Sequence, residues 1–217
     1  MKMNYSKTVR EYCKTTPLKI FDVSYEMKHH FEMVPYKTLL KILNRLEEEG
    51  ELETISKGVY LIKSGESVDD HPILEHYASG NRGLIVGYDM YNRYGITGHQ
   101  EKPMVIYTNA METETKNIGN EYLLIRFPMV NFDKRPCKVI ELLELIEKGP
   151  KIIDEDFKVR SEVIIKLAIN YDDYYLRVIL NAHRYQYSTI CALDSVLKEL
   201  HIKNDAINVY KKECLDA

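Results

Sequence analysis

Pro35-Tyr36-Lys37-Thr38-Leu39-Leu40-Lys41-Ile42-Leu43-Asn44-Arg45-Leu46-Glu47-Glu48-Glu49-Gly50 carries the clearest periodicity in the 217-residue chain. Leu39, Leu40, Ile42, Leu43 and Leu46 recur at three- and four-residue spacing, the mark of a helix with one apolar face. Pro35 suits a helix start and Gly50 a helix stop. Lys37, Lys41 and Arg45 lie four residues apart, so they fall on one stripe of the opposite, exposed face.

Outward from this helix the pattern stays legible. On the N-terminal side, Ser6 can cap a helix running to about Lys14, with Val9, Tyr12 and Cys13 inward, and Thr15-Thr16-Pro17 ends it. A second, shorter helix is expected over Val23 to His30, entered from Asp22. On the C-terminal side, Glu51 to Ile55 and Val59 to Ile62 read as two strands joined by the polar turn Ser56-Lys57-Gly58, with Gly where a positive φ is wanted. Three helices followed by a two-stranded ribbon is the layout of a winged helix-turn-helix, assigned to residues 1–65. Residues 64–70, Ser-Gly-Glu-Ser-Val-Asp-Asp, read as a linker.

A helix fits the major groove of DNA, and a ribbon can reach the flanking phosphates. Tyr36, Lys37, Thr38, Lys41, Asn44 and Arg45 are therefore the residues expected against DNA, with Asn44 and Arg45 able to make bidentate base contacts. Lys57 at the turn, with Lys7 and Arg10 on the first helix, are expected phosphate contacts. Glu47, Glu48, Glu49, Glu51 and Glu53 oppose this, so the helix should enter a groove by its N-terminal half. A basic stripe is also what an ordinary solvated helix face carries, and such a unit can serve as a protein-interaction domain.

Residues 71–217 read as a second unit, so the fold class is α+β: an N-terminal winged helix-turn-helix followed by a mixed α/β and helical C-terminal domain. Helices are expected around Ile73 to Ala78 and from Gly87 to Tyr94. Strands are expected at Leu84 to Val86, Met104 to Thr108 and Tyr122 to Phe127. Beyond Val139 come four helical stretches: Ile140 to Glu147, Ser161 to Asn170, Tyr174 to Ala182 and Thr189 to Leu200. Tyr171, Tyr174, Tyr175, Tyr185 and Tyr187, interleaved with Arg177 and Arg184, have the composition of a partner surface, although core packing with hydroxyls at the rim explains them equally.

Composition limits the function classes. Hydrophobic residues make up 45% and charged residues 29%, which excludes a disordered chain. Lys plus Arg number 30 against 33 Asp plus Glu, a net of -3, so any polyanion-binding surface must be local. Residues 1–65 hold eleven basic and nine acidic side chains, a net of +2, which leaves -5 for the remainder. No stretch approaches the roughly 20 apolar residues of a membrane span, and Met1 to Ser6 lacks a secretion signal's apolar core. A cytoplasmic location is expected. Cys13, Cys137, Cys191 and Cys214 form no C-x-x-C pair and read as reduced thiols.

Catalytic motifs are missing. Neither a phosphate loop nor G-x-G-x-x-G nor G-x-S-x-G occurs, so no nucleotide-binding reading survives at the level of sequence. The histidines are dispersed, with His71 and His76 badly spaced for joint coordination. Asp154-Glu155-Asp156 and Asp172-Asp173 could bind a cation, but they sit near expected helix starts, where carboxylates cap backbone amides. No enzyme activity, cofactor or metal is expected.

Leu43-x-x-Leu46, Gly50-x-Leu52 and Ser56-Lys57-Gly58-Val59-Tyr60 together resemble the AbiEi-type antitoxins of bacterial type IV toxin-antitoxin systems. Gly83-Leu84-Ile85-Val86-Gly87-Tyr88-Asp89-Met90-Tyr91 through Thr97, and Met104 to Thr108, extend the resemblance to about residue 130. It implies a regulator whose winged domain binds double-stranded operator DNA, often an inverted repeat, and represses its own operon; a homodimer is the expected state. It further implies a C-terminal domain that counteracts a cognate toxin of nucleotidyltransferase fold in an abortive-infection, phage-defence setting. The other class left open is a phage-defence component that binds protein and not DNA.

Overall fold

A computed structural model describes residues 4–63, 71–129 and 131–215. The stretch read as a linker lies outside the described residues. The chain is α+β, with ten α-helices and two small sheets among the described residues.

The first unit runs α1 (Tyr5–Thr15), β1 (Ile20–Asp22), α2 (Val23–His29), α3 (Tyr36–Glu48), β2 (Leu52–Ser56) and β3 (Val59–Ile62). The helices fall where the periodicity places them. Asn4, rather than Ser6, caps α1, accepting from the Lys7 amide at 3.2 Å. Asp22 caps α2. Strand β1 was not anticipated. It pairs antiparallel with β3, which also pairs with β2, so the ribbon becomes a three-stranded sheet in the order β1-β3-β2. Gly58 turns the hairpin at φ +73°, and its carbonyl accepts from the Val23 amide at 2.9 Å. Val9, Phe21, Phe31, Leu39, Leu43 and Leu46 form this unit's core.

A second sheet takes β4 (Gly83–Val86), β5 (Met104–Thr108), β6 (Thr115–Ile118) and β7 (Tyr122–Arg126) in the order β4-β5-β7-β6. Only the β5/β7 pair is parallel. Alternation along its strands decides what each face meets. Ile106, Leu124 and Ile118 pack against Ile20 and Val59 of the first unit and against Ile73 and Tyr77 of α4 (Pro72–Tyr77). Val86 and Tyr107 point to the other side, toward α5 (Tyr88–Arg93) and α6 (Lys134–Lys148). The sheet is thus a middle layer between two cores.

Helix α6 is buried on nearly every side, which its apolar run Val139 to Leu145 requires. Around it lie α7 (Phe157–Ile169), α8 (Asp173–Ala182) and α9 (Tyr187–Glu199), and α10 (Ala206–Leu215) packs on α8 and α9. Its two buried carboxylates are both held. Glu141 accepts from Arg93 at 2.7 Å, Tyr94 at 2.5 Å and Lys138 at 2.8 Å, and Glu144 accepts from the Tyr107 hydroxyl at 2.7 Å. Cys13, Cys137 and Cys191 are free thiols, and the Cys214 side chain lies outside the described ones. No helix among the described residues is long and apolar enough to cross a membrane.

The first unit and the middle sheet are joined by a buried polar cluster centred on Asp22. Its carboxylate accepts from Lys116 Nζ at 2.7 Å, the Tyr77 hydroxyl at 2.8 Å and the Ser24 amide at 2.9 Å. Burial works against the charge, but Lys116 and the hydroxyl donors outweigh it, so the carboxyl sits below its ordinary value. Ser56 Oγ adds a bond to the Asn117 carbonyl at 2.9 Å.

Candidate nucleic-acid interface

Helix α3 begins at Pro35, whose carbonyl accepts from the Thr38 and Leu39 amides. It ends as Gly50, at φ +77°, lets the Glu51 amide return to the Leu46 carbonyl at 2.8 Å, a glycine-type helix stop. Leu39, Ile42, Leu43 and Leu46 are buried along one side. That fixes the rotation of the helix and sends Tyr36, Lys37, Lys41, Asn44 and Arg45 to solvent, with Thr38 half-buried beside them. Lys57 is exposed at the β2–β3 turn.

Ion pairing sorts the charges of this unit. Among the described residues, none of Lys37, Lys41, Arg45 and Lys57 has a carboxylate partner. Four of the five opposing acids are engaged: Glu47 Oε1 accepts from the Thr54 amide at 3.0 Å, Glu49 and Glu51 both hold Arg10, and Glu53 holds Lys63 at 3.0 Å. Unpaired positive charge thus lies on the outer face of α3 and at the hairpin tip, with Lys14 of α1 also unpaired among the described residues and Glu48, exposed on α3, the one acid of the five not engaged. Arg10, expected on a phosphate, is instead committed to fastening α1 to the end of α3. Lys7 stays exposed, 3.8 Å from Glu11.

Glu26 of α2 is fully buried beneath α1, beside Tyr12 and with His30 Nε2 3.9 Å from Oε2. Burial pushes its carboxyl up to about 7. His76 of α4 is buried without a partner, and burial holds it neutral, down at about 4. Neither residue was singled out for this by spacing, since both read as ordinary polar positions on short helices.

The tyrosine and arginine segment divides. Tyr174 is 68% exposed. Tyr175 is half-buried against the helical core, and its ring meets that of Tyr174 edge-on at 5.3 Å. Arg177 is exposed and pairs with Asp173 at 3.3 Å, and Arg184 is exposed as well. Tyr185 corrects the expectation: it is 5% exposed, inside the helical core, where an aromatic ring gains more from packing than from solvent, and it cannot contribute to a partner surface. Among the exposed apolar side chains whose exposure carries no sequence signal are Phe157, Ile165 and Ile169 on the outside of α7. Their spacing of eight and four residues is legible, but α7 is apolar on both sides and does not reveal which side faces out.

Asp156 and Asp172 are helix caps, accepting from Val159 N and from Tyr174 N and Tyr175 N. Asp173 accepts from the Asp205 and Ala206 amides at 3.0 and 2.9 Å and so fixes the start of α10. Among the described residues no group of three or more His, Cys, Asp or Glu side chains could hold a metal ion.

No protein-family model matches the chain, and no curated protein matches it. Among solved structures it is similar to the crystal structure of RV2827C protein from Mycobacterium tuberculosis, with 12% sequence identity over 89% of this chain and 75% of that chain. The TM-score is 0.38, a likeness too loose to transfer fold or function.

Proposed function

We propose that this chain is a DNA-binding transcriptional regulator of the AbiEi antitoxin type, with residues 1–65 acting as a winged helix-turn-helix. In this reading α3 lies in the major groove, β2 and β3 form the wing, and double-stranded operator DNA is the ligand. The observation that carries it is the unpaired row of Lys37, Lys41 and Arg45 on the outer face of α3, with four of the five neighbouring acids, all but Glu48, bound elsewhere in the unit. Cations without protein partners can release phosphate counterions when they meet DNA. Asn44 and Arg45 read base edges, and Lys37, Lys41 and Lys57 contact phosphates.

Repression of its own operon and neutralisation of a nucleotidyltransferase-like toxin extend this reading through the resemblance of residues 21–61, 83–97 and 104–108 to that family. On it the protein is no enzyme, needs no cofactor, and acts in the cytoplasm.

Fluorescence anisotropy against the chain's own upstream DNA and a scrambled duplex tests the assignment. Preference for the upstream duplex is expected, with a log-log salt slope of about -0.9 per phosphate neutralised. Lys41→Glu with Arg45→Glu should abolish binding and leave the circular dichroism unchanged. Unchanged affinity in that variant removes α3 from the interface.

A second reading, a protein-interaction component that binds no DNA, is favoured by the exposed Phe157, Ile165 and Ile169 of α7 and by Tyr174. A partner co-purifying in fixed ratio, lost on Phe157→Ser with Ile169→Ser, together with no DNA affinity, would select it.

A further inference from the structure

A cleft of about 560 Å³ opens where α6 stops covering the middle sheet, within the roughly 300–1,000 Å³ typical of small-molecule sites. One wall is the sheet itself. Val105 pairs with Leu123 and Tyr107 with Ile125, so these side chains share a face, and Val105, Leu123 and Ile125 remain only half-buried there. Tyr88 and Tyr91 of α5 also line the cleft, with ring centroids 5.5 Å apart. Gly87 enters α5 at φ +70°, a left-handed backbone that suits glycine.

Two kinds of polar group complete the lining. Glu144 is 3% exposed and accepts from Tyr107, and burial raises its carboxyl above the usual value. Its carboxyl oxygens can offer an acceptor to an occupant. Lys148 and Lys151 stand exposed at the rim with no carboxylate partner among the described residues. Lys102 also lines the rim but is paired with Glu121, and Glu101 is the acid nearest it in sequence.

An occupant that satisfies all of this has a flat apolar body to displace water from the aliphatic wall, a polar edge for Glu144 and an anionic end for the two lysines. We infer that the cleft binds a nucleoside phosphate, its base against Val105, Leu123 and Ile125 with one edge at Glu144, and its phosphate held by Lys148 and Lys151. No glycine-rich phosphate loop is needed, because side chains rather than backbone amides hold the anion. The absence of that motif from the sequence therefore does not bear on this site. The site is separate from α3 and does not depend on DNA binding.

Isothermal titration of the full chain with AMP, ATP and GTP tests the inference, with adenosine and ribose 5-phosphate as half-ligands. Saturable binding of a nucleotide is expected, with each half at least about tenfold weaker, as loss of one charge-assisted contact implies. Lys148→Glu with Lys151→Glu should weaken nucleotide binding by roughly tenfold or more at unchanged thermal midpoint. Leu123→Trp, which fills the cleft from the apolar side, should do the same. Lys41→Glu with Arg45→Glu should leave it intact, which separates the cleft from the basic face of α3. Absence of saturable nucleotide binding overturns the inference, as does binding that survives both cleft variants. A protein partner lost in the lysine double variant, with no nucleotide bound, would assign the cleft to macromolecular docking and equally overturn it.

Discussion

Lys116→Met leaves the Asp22 carboxylate where it is, fully buried, capping α2 and accepting from Tyr77, but without its counter-charge. The Lys116 side chain is itself only 12% exposed and lies 2.7 Å from Asp22, so water cannot easily replace the ammonium. Breaking a buried pair by removing one partner costs about 3–5 kcal/mol. The hydrogen bonds that remain to Asp22 place this case near the lower end, at about 3 kcal/mol, or roughly 6–12 °C in thermal midpoint for a chain of this size. The sign of the pH dependence follows from the depressed Asp22 value. Its stabilisation is fully present above the ordinary 3.8 and is lost as pH falls through the lower folded value. The gap between wild type and Lys116→Met should therefore be widest near about pH 7 and close below 3.8 as Asp22 protonates. Adding Asp22→Asn, which keeps a capping oxygen, should recover part of the loss, because the uncompensated charge is gone. Scanning calorimetry from neutral pH into acid measures all three proteins. A loss below about 2 °C, or a gap that ignores pH, would refute the claim that this pair holds the units together.

Other outcomes follow from single residues. Glu26, raised to about 7 from an ordinary 4.5, destabilises the fold as its charge appears, so stability should fall between these values as pH rises and level off above about 7. Glu26→Gln should flatten that slope in calorimetry; a slope that persists would assign it to another group. Gly83→Ala would drive a Cβ into the backbone carbonyls of Tyr77 and Tyr107; a cost of about 2 kcal/mol or more is expected in urea unfolding, and a neutral result would mean that β4 can shift. Arg10, bound to Glu49 and Glu51, should matter less to DNA affinity than Arg45. Anisotropy with Arg10→Ala and Arg45→Ala measures the ranking, and equal losses would return Arg10 to the interface.

Local physics made α3 readable: five apolar residues at helical spacing, a proline before and a glycine after leave one structure and one buried face. The same holds for β5, whose Met104 to Thr108 run was bounded as observed. Strand β1 was invisible because three residues after Pro17 carry no period, and its partner β3 lies some forty residues away. Strand β6 reads Thr-Lys-Asn-Ile, an edge strand with Thr115 and Asn117 exposed and almost nothing apolar to mark it. Helix α10 follows the polar Lys203-Asn204-Asp205 and carries no clear apolar stripe of its own. The outward positions on α3 followed from its inner face, whereas the commitment of Arg10 to two glutamates depends on where α1 crosses α3. Tyr185 failed for the opposite reason, since an aromatic ring suits a core and an interface equally.

Asp22 has two duties that cannot be separated, since the carboxylate that starts α2 is also the one that receives Lys116 from the middle sheet. Ile20 and Val59, on the two strands beside it, belong to the core shared with that sheet and not to the core of their own unit. Residues 1–63 are thus a module in connectivity but not in thermodynamics. Cut free, the fragment would present an apolar flank with a bare carboxylate at its centre, so it could be transplanted onto another protein only together with a host surface that supplies both an aliphatic cover and a cation.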